Sequence, residues 1–353
     1  MQDVILQGDA LAVLRGLPNG IAHCCVTSPP YWNLRDYGVP GQIGLEATIE
    51  EYVARMVAIF AEVRRVLRAD GTLWLNLGDA YANDGKWGGA TSGKHAEGLH
   101  GQTSVGRSKR RTGLPPKSLI GLPWRVAFAL QEDGWLLRSD IIWAKENPTP
   151  ESVRDRPTRA HEYIFLMAQS ARYYYDAAAI REPLAAKTYT TFGSKHRAQG
   201  NDALGRVKSD NWGRTITERT PKVWTDQPAR ADKTDKQRGH SRRHAGFNDR
   251  WDAMSKEQQQ SLGANKRDVW SLGTYAFPGA HSATFPPKLI EPCILAGCPS
   301  GGLVLDPFGG AGTTGVVARR HSRHYLLIEL NERYCEMAAA RIAEERQPVL
   351  WTA

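Results

Sequence analysis

Cysteine is scarce in this 353-residue chain: the five present (Cys24, Cys25, Cys293, Cys298 and Cys335) are odd in number and never spaced C-x-x-C. That argues against a disulfide framework and leaves no ligand pattern for a structural zinc ion. Long apolar runs are missing as well. No stretch is long enough to span a bilayer, and the opening MQDVILQGDA has neither the basic nor the apolar region of a signal peptide. A cytoplasmic chain is the expectation. Acidic residues are the minority charge, with 37 Asp and Glu against 46 Lys and Arg for a formal net charge of +9. Together with eleven tryptophans and twelve tyrosines, this balance suits a polyanionic partner, nucleic acid first, although a charged surface also serves solvation. At 41% hydrophobic and 24% charged, the chain supports one large α/β domain with insertions or two modest domains.

What is present begins with a strand at Val4 to Gln7, ended by Gly8-Asp9. Leu11, Val13, Leu14 and Leu17 then repeat at helical spacing, and Ala22 to Val26 is a second strand. Strand, helix, strand in so short a span reads as a parallel βαβ unit. Asp9 lies on the sheet's carboxyl edge, where it is either a ligand group or the N-cap of the helix. The second strand runs into Thr27-Ser28-Pro29-Pro30-Tyr31-Trp32. Two prolines stiffen this turn and donate no N–H, leaving carbonyls free to accept. A rigid rim of acceptors beside an aromatic ring can hold a flat, amino-bearing group such as a nucleobase.

Thr48 to Leu67 is an amphipathic helix, opened by a capping box of Thr48 with Glu51. Asp70-Gly71 reads as a turn into the strand Thr72 to Leu77. Residues 83–118 hold glycine, serine, histidine and lysine, with Lys109-Arg110-Arg111, and read as a mobile basic loop, closing over a polyanion or disordered. Leu119 to Gln131 is a helix; Leu136 to Trp143 and Glu162 to Met167 are strands. Between those strands, arginines 154, 156 and 159 either contact phosphate or are solvated. Residues 183–266 form a polar second region in which Lys195, Arg197, Arg242 and Arg243 stand among Trp212, Trp224 and Trp251. Basic residues interleaved with aromatics suit a surface that tracks a nucleic-acid backbone.

Near the end, Thr284-Phe285-Pro286 precedes a helix from Lys288 to Gly297. The strand Leu303 to Asp306 then meets the turn Pro307-Phe308-Gly309-Gly310-Ala311-Gly312-Thr313. Glycines here bring a ligand close to the backbone, and a helix from Val316 to Arg320 offers its N–H groups. The strand His324 to Ile328 ends in Glu329, placed to accept both hydroxyls of a ribose. Gly310 to Gly315 also satisfies G-x-G-x-x-G. Too little chain follows for a dinucleotide half-sheet, and Asp306 would set negative charge beside a pyrophosphate. A cationic nucleoside cofactor, S-adenosyl-L-methionine, fits better. Cys293 lies in an apolar helix and reads as a core residue, not a nucleophile.

These residues resemble the amino-methyltransferases of DNA, which act on N4 of cytosine or N6 of adenine. Asp306-Pro307-Phe308-Gly309-Gly310-Ala311-Gly312 is similar to their cofactor motif, Ser28-Pro29-Pro30-Tyr31 to their catalytic tetrapeptide, and Glu329 to their ribose-binding acid. Catalytic motif first and cofactor motif last is the order of the β group, and the likeness covers roughly residues 1–82, 114–182 and 266–342. The resemblance implies a circularly permuted, doubly wound α/β sheet of seven strands, the last antiparallel. It implies a catalytic half over 1–182, a target-recognition region over 183–266 and a cofactor half over 267–353. Asp9, Thr284, Phe285, Asp306, Phe308, Gly310, Gly312, Thr313 and Glu329 would surround the cofactor. Ser28 and the Pro29 carbonyl would take the amine hydrogens of a flipped base stacked on Tyr31. Arg154, Arg156, Lys195, Arg197, Arg242 and Arg243 would contact double-stranded DNA, drawing the protein to the nucleoid. A cognate restriction endonuclease and a homodimer are further partners it suggests. The serine in the tetrapeptide resembles the N4-cytosine members, so N4 is the first reading and N6-adenine the second. A non-catalytic DNA-binding module would explain the charge but neither Glu329 nor the glycine turn.

Overall fold

The structure is a computed structural model that describes residues 2–34, 36–82, 112–183, 263–274 and 285–345. In chain order its strands are β1 (Val4–Gln7), β2 (Ala22–Thr27), β3 (Leu67–Leu77), β4 (Leu136–Lys145), β5 (His161–Ala168), β6 (Val269–Leu272), β7 (Leu303–Asp306) and β8 (His324–Glu329). Its helices are α1 (Ala10–Arg15), α2 (Ile49–Val66), α3 (Leu122–Glu132), α4 (Pro287–Gly297), α5 (Thr313–Arg320) and α6 (Glu332–Glu344). The strands form one eight-stranded sheet in the order β1-β8-β7-β2-β3-β5-β4-β6. Every neighbouring pair is parallel except those made by β5, which runs against both β3 and β4.

The three central strands are apolar because both their faces are covered. Cys25, Leu73, Leu75 and Leu305 pack into one core with Leu14, Phe60 and Val126 of α1, α2 and α3. Their sequence neighbours Cys24, Trp74 and Val304 point the other way, into a second core with Ile290 and Ile294 of α4 and Val317 of α5. Alternate residues of one strand thus feed two helical layers, the pattern expected of a buried parallel sheet.

The expected seven strands with one antiparallel member are present, and β6 adds an eighth at the edge. That strand is four residues long, too short to show a period in sequence, yet it buries Trp270 against β4. Asp70-Gly71 is not a turn between elements. β3 already begins at Leu67, and the residues between the pairs Ala22–Leu67 and Cys24–Thr72 bulge from the ladder. A Cβ on Gly71 would lie 2.9 Å from the Arg68 carbonyl oxygen, so the bulge requires glycine. α5 starts at Thr313, three residues before the apolar run that marked it, and α6 went unread in the sequence.

The chain divides into two compact units, residues 1–180 with 266–353, and residues 181–265. Of the second unit the described residues show one antiparallel bridge, Glu182 with Ala264. Most of the basic loop expected over 83–118 lies outside the described residues. Its last part runs beside the segment that follows β3, with the Ala82 N–H donating to the Ser118 carbonyl at 2.7 Å. No helix among the described residues is long and apolar enough to cross a membrane.

The capping box at α2 is complete: the Thr48 side chain accepts from the Glu51 N–H, and the Glu51 side chain accepts from that of Thr48. Thr48→Ala should therefore lower the unfolding free energy by about 1 kcal/mol. The urea midpoint should fall while the slope of the transition stays unchanged.

Candidate active site

At the centre of the sheet, β7 and β2 lie side by side while the chain leaves them in opposite directions, toward β8 and β3. Ligands of open α/β sheets bind at such a point, outside the carboxyl ends of the strands. Here the two ends are tied together. The Thr27 hydroxyl donates to Asp306 Oδ1 at 2.6 Å, across 279 residues of sequence. The Thr314 hydroxyl donates to Asp306 Oδ2 at 2.6 Å, and the Phe308 N–H to Oδ1 at 3.0 Å. Asp306 is 1% exposed, and burial raises its pKa although all three hydrogen bonds act in the opposite sense.

Asp306 was expected among the residues around the cofactor. Its carboxylate turns inward and is consumed in holding the turn after β7, and it does not line the cavity.

That cavity, of about 430 Å³, opens beside the joined strand ends. On one wall stand Asp9, Phe285, Phe308, Gly310, Thr313 and Glu329. Glu329 accepts the Gly310 N–H through Oε2 and the Asn331 N–H through Oε1, both at 2.8 Å. Each carboxylate oxygen keeps a second lone pair for a ligand hydroxyl. Burial lifts the Glu329 pKa, opposed by those two N–H groups. Of the two roles left open for it Asp9 takes the cap, accepting from the Ala12 N–H at 2.9 Å, and its side chain also lines the cavity. Thr313 lines the wall too, its hydroxyl oxygen accepting from Arg341 at 2.8 Å.

Gly312, also expected at the cofactor, packs against α6: its φ is 76°, and a Cβ there would lie 2.9 Å from the Ala338 Cα. Thr284 lies outside the described residues.

The opposite wall is the rim after β2. Ser28, Pro29, Pro30 and Tyr31 all line the cavity. The Pro30 carbonyl is taken by the Tyr52 hydroxyl at 3.0 Å, whereas the Pro29 carbonyl accepts no hydrogen bond among the described residues. Of the two carbonyls expected to be free, one is. Trp32 is not part of the rim: it is 2% exposed, and its indole N–H donates to the Glu46 carbonyl at 3.0 Å.

Tyr31 lays its ring against the end of β3, where a Cβ on Gly78 would come within 2.6 Å of Cε2. Its hydroxyl donates to Glu162 Oε2 at 2.8 Å and lies 3.2 Å from Asn76 Oδ1. Burial, then the Glu162 charge, holds the phenol well above its ordinary pKa, so it stays neutral. Glu162 also pairs with Lys145. Asn76, Lys145 and Glu162 were not foreseen. The available signal was a polar residue breaking an apolar strand, as Asn76 does in Leu73-Trp74-Leu75-Asn76-Leu77.

Of the expected phosphate contacts, Arg156 is already committed. It pairs with Glu151 at 2.7 Å and lies over the Tyr81 ring, 3.9 Å from its centroid. Arg154 is exposed, with no partner among the described residues. Lys195, Arg197, Arg242 and Arg243 lie outside them. Cys293 is buried in the second core, where burial pushes its thiol far up, as a packing residue requires. No cluster of His, Cys, Asp or Glu among the described residues could hold a metal ion.

Comparison with known proteins bears on this site. Residues 22–340 match the profile of a family described as DNA methylase, N6_N4_Mtase. The type II methyltransferase M.Cfr9I of Citrobacter freundii is 40% identical over 346 residues, covering 98% of this chain and 89% of the relative. Among solved structures, the PvuII DNA methyltransferase (cytosine-N4-specific) shares the fold with a TM-score of 0.56 at 18% identity, covering 97% of this chain and 86% of that one. A Thermus thermophilus protein, described as a putative DNA modification methylase and solved with S-adenosyl-L-methionine, does so with a TM-score of 0.53 at 22% identity, covering 98% and 94%.

The Asp306 bonds generate a paired expectation. Asp306→Ala strands the Phe308 N–H and should cost about 3 kcal/mol of stability. Asp306→Asn keeps an acceptor for that N–H, and the Thr314 hydroxyl can turn to the Val26 carbonyl 3.4 Å away. Because the folded pKa of Asp306 is raised, its contribution to stability is full below the unfolded value and declines as pH rises through the folded one. Urea midpoints across that range should show the decline in wild type and a weaker one in Asp306→Asn.

Proposed function

The chain belongs to the N6/N4 family of DNA methylases, and on that premise we propose that it transfers a methyl group from S-adenosyl-L-methionine to the N4 amine of cytosine in duplex DNA. One observation carries the reading. The Thr27–Asp306 hydrogen bond sets the Ser28-Pro29 rim and the Glu329–Gly310 wall on a single cavity.

The chemistry of the second wall fits the cofactor. Glu329 keeps lone pairs for two ribose hydroxyls, and Phe285 and Phe308 offer apolar surface. Asp9 adds a second carboxylate, which suits a ligand bearing an ammonium and a sulfonium. When bound, this cofactor supplies a methyl group activated by the positive sulfur.

The residues of the chain do the rest. An extruded base enters beside the Tyr31 ring. The Ser28 oxygen and the open Pro29 carbonyl accept the two hydrogens of its amine, which turns the nitrogen lone pair out of the ring's conjugation and toward the donor wall. The rigid Pro-Pro backbone keeps those acceptors in place without reorganisation. Serine is a neutral acceptor, weaker than the carboxylate or amide that serves adenine in most relatives of that type, so N4 of cytosine is the first reading and N6 of adenine the second. The relatedness to type II methyltransferases extends the proposal to a cognate restriction endonuclease.

Incubation with methyl-labelled S-adenosyl-L-methionine and unmodified bacterial genomic DNA, followed by digestion to nucleosides, should place label in N4-methyldeoxycytidine. Label in N6-methyldeoxyadenosine would select the second reading, and an unlabelled digest would overturn methyl transfer to DNA.

The cofactor wall yields its own prediction. Only the ionised Glu329 offers acceptors alone, and its pKa is raised. Calorimetric affinity for S-adenosyl-L-methionine should therefore weaken on acidification already above the pH at which an ordinary glutamate protonates. Glu329→Gln should bind about tenfold more weakly at neutral pH, with a flat profile over the same range.

A further inference from the structure

Asn76, Glu162 and Lys145 border the cavity but have no direct part in the transfer described above. Their hydrogen bonds have a direction that can be followed to the serine. The Asn76 amide is oriented by two acceptors, since Nδ2 donates to the Tyr163 carbonyl at 3.0 Å and to Glu162 Oε2 at 3.2 Å. Its Oδ1 is thereby turned to the Tyr31 hydroxyl, 3.2 Å away. The other neighbour of that hydroxyl, Glu162 Oε2 at 2.8 Å, is also an acceptor.

Tyr31 has a single proton, and it must go to one of these two oxygens. Its own oxygen then has only acceptance to offer to Ser28 Oγ, which lies 3.4 Å away and donates to it. With its proton spent there, the serine presents lone pairs to the cavity. A serine turned the other way would donate into the amine's lone pair, the same electrons that must attack the methyl group.

We propose that Glu162 is a positioning residue, which through Tyr31 sets the polarity of this hydrogen-bond chain so that Ser28 accepts from the target amine. The role rests on the methyl-transfer reading above and is the same for either amine. Lys145 makes the arrangement one-sided: it holds Glu162 Oε1 and leaves Oε2 for the phenol.

The pair also makes the test sharp. In Glu162→Gln the side-chain carbonyl turns to the Lys145 ammonium, which can only donate. The amide NH2 is then forced toward both Tyr31 and Asn76 Nδ2; two donors facing each other turn the Asn76 amide over, and with Oδ1 also withdrawn from the phenol the Tyr31 proton is free to point at Ser28. Single-turnover and steady-state methyl transfer should show kcat down on the order of 100-fold, the scale for one oriented group at a reacting centre. The KM for DNA and the calorimetric affinity for S-adenosyl-L-methionine should stay as in wild type.

Tyr31→Phe keeps the ring but cuts the chain, and should lower kcat by roughly tenfold or more. Adding Glu162→Gln to it should then cost nothing further, a non-additivity that a general loss of structure does not produce. Wild-type kcat in Glu162→Gln, or an undiminished effect of that substitution in the Tyr31→Phe background, overturns the role of Glu162 and leaves the methyl-transfer reading standing. Where thermal melting shows Glu162→Gln unfolded, Tyr31→Phe decides alone, since wild-type kcat in that variant removes the middle link between Glu162 and Ser28. A wild-type protein that moves no label to DNA removes the transfer and this role together.

Discussion

One buried carboxylate joins the two ends of this polypeptide. Asp306 ends β7, Thr27 ends β2, and a 2.6 Å bond joins them between the two walls of the cavity. Everything the site requires depends on that register. The β2–β7 ladder itself is short, pairing only Cys24 with Val304 and Cys25 with Leu305 before the strands diverge toward the cavity. Past that point the backbone ladder no longer holds the walls together, and the side-chain bonds of Asp306 to Thr27, Thr314 and Phe308 N–H take over. A carboxylate so placed is expensive to keep ionised, which is why its pKa is pushed up. It is tolerated because three donors converge on it, and because without it the Phe308 N–H of the turn would be left unpaired.

The four carboxylates around the cavity differ in what their surroundings leave available. Asp306 takes three donors from inside the protein, two on Oδ1 and one on Oδ2. Glu329 has two backbone N–H partners and an exposed edge, so it is oriented yet still able to receive a ligand. Asp9 caps a helix, pairs with Arg55 at 3.5 Å and lines the cavity. Glu162 faces a cation on one oxygen and a phenol on the other. Residue type alone would have assigned all four the same duty. The partner list and the burial separate them.

Much of this was legible in the sequence, for identifiable reasons. The strand-then-acid endings at Asp9, Asp306 and Glu329 and the Pro-Pro turn are local features that can be located without tertiary context, although what each acid touches cannot. So is the capping box at Thr48. The fold followed from the family resemblance those motifs carry, and apolar runs such as Leu303-Val304-Leu305 agreed with strands covered on both faces. What was not legible depends on distance. Asp306 pointing inward requires Thr314 and Thr27 to converge on it, and no spacing rule contains that. Gly312 looked like a ligand-approach glycine, but the nearest obstacle is Ala338, on a helix that the sequence reading did not find. Glu162 was counted as the first residue of a strand, and its meeting with Tyr31, 131 residues away, exists only in the folded sheet.

The same separation explains why the antiparallel strand matters to the chemistry. Because β5 runs against β3, it brings its first residues, not its last, to the carboxyl edge of the sheet: Tyr163 pairs with Leu77 and Ile164 with Asn76, so Glu162, one residue earlier, reaches past the end of β3. A parallel strand in that slot would deliver the end of an apolar run to the cavity and leave the tyrosine hydroxyl without an anionic acceptor. Reversing one strand thus gives the rim a rigid, directional support that the parallel part of the sheet does not supply. It does so without a loop, from residues whose backbone is already held in the ladder, which is the condition for fixing the direction of a single hydroxyl.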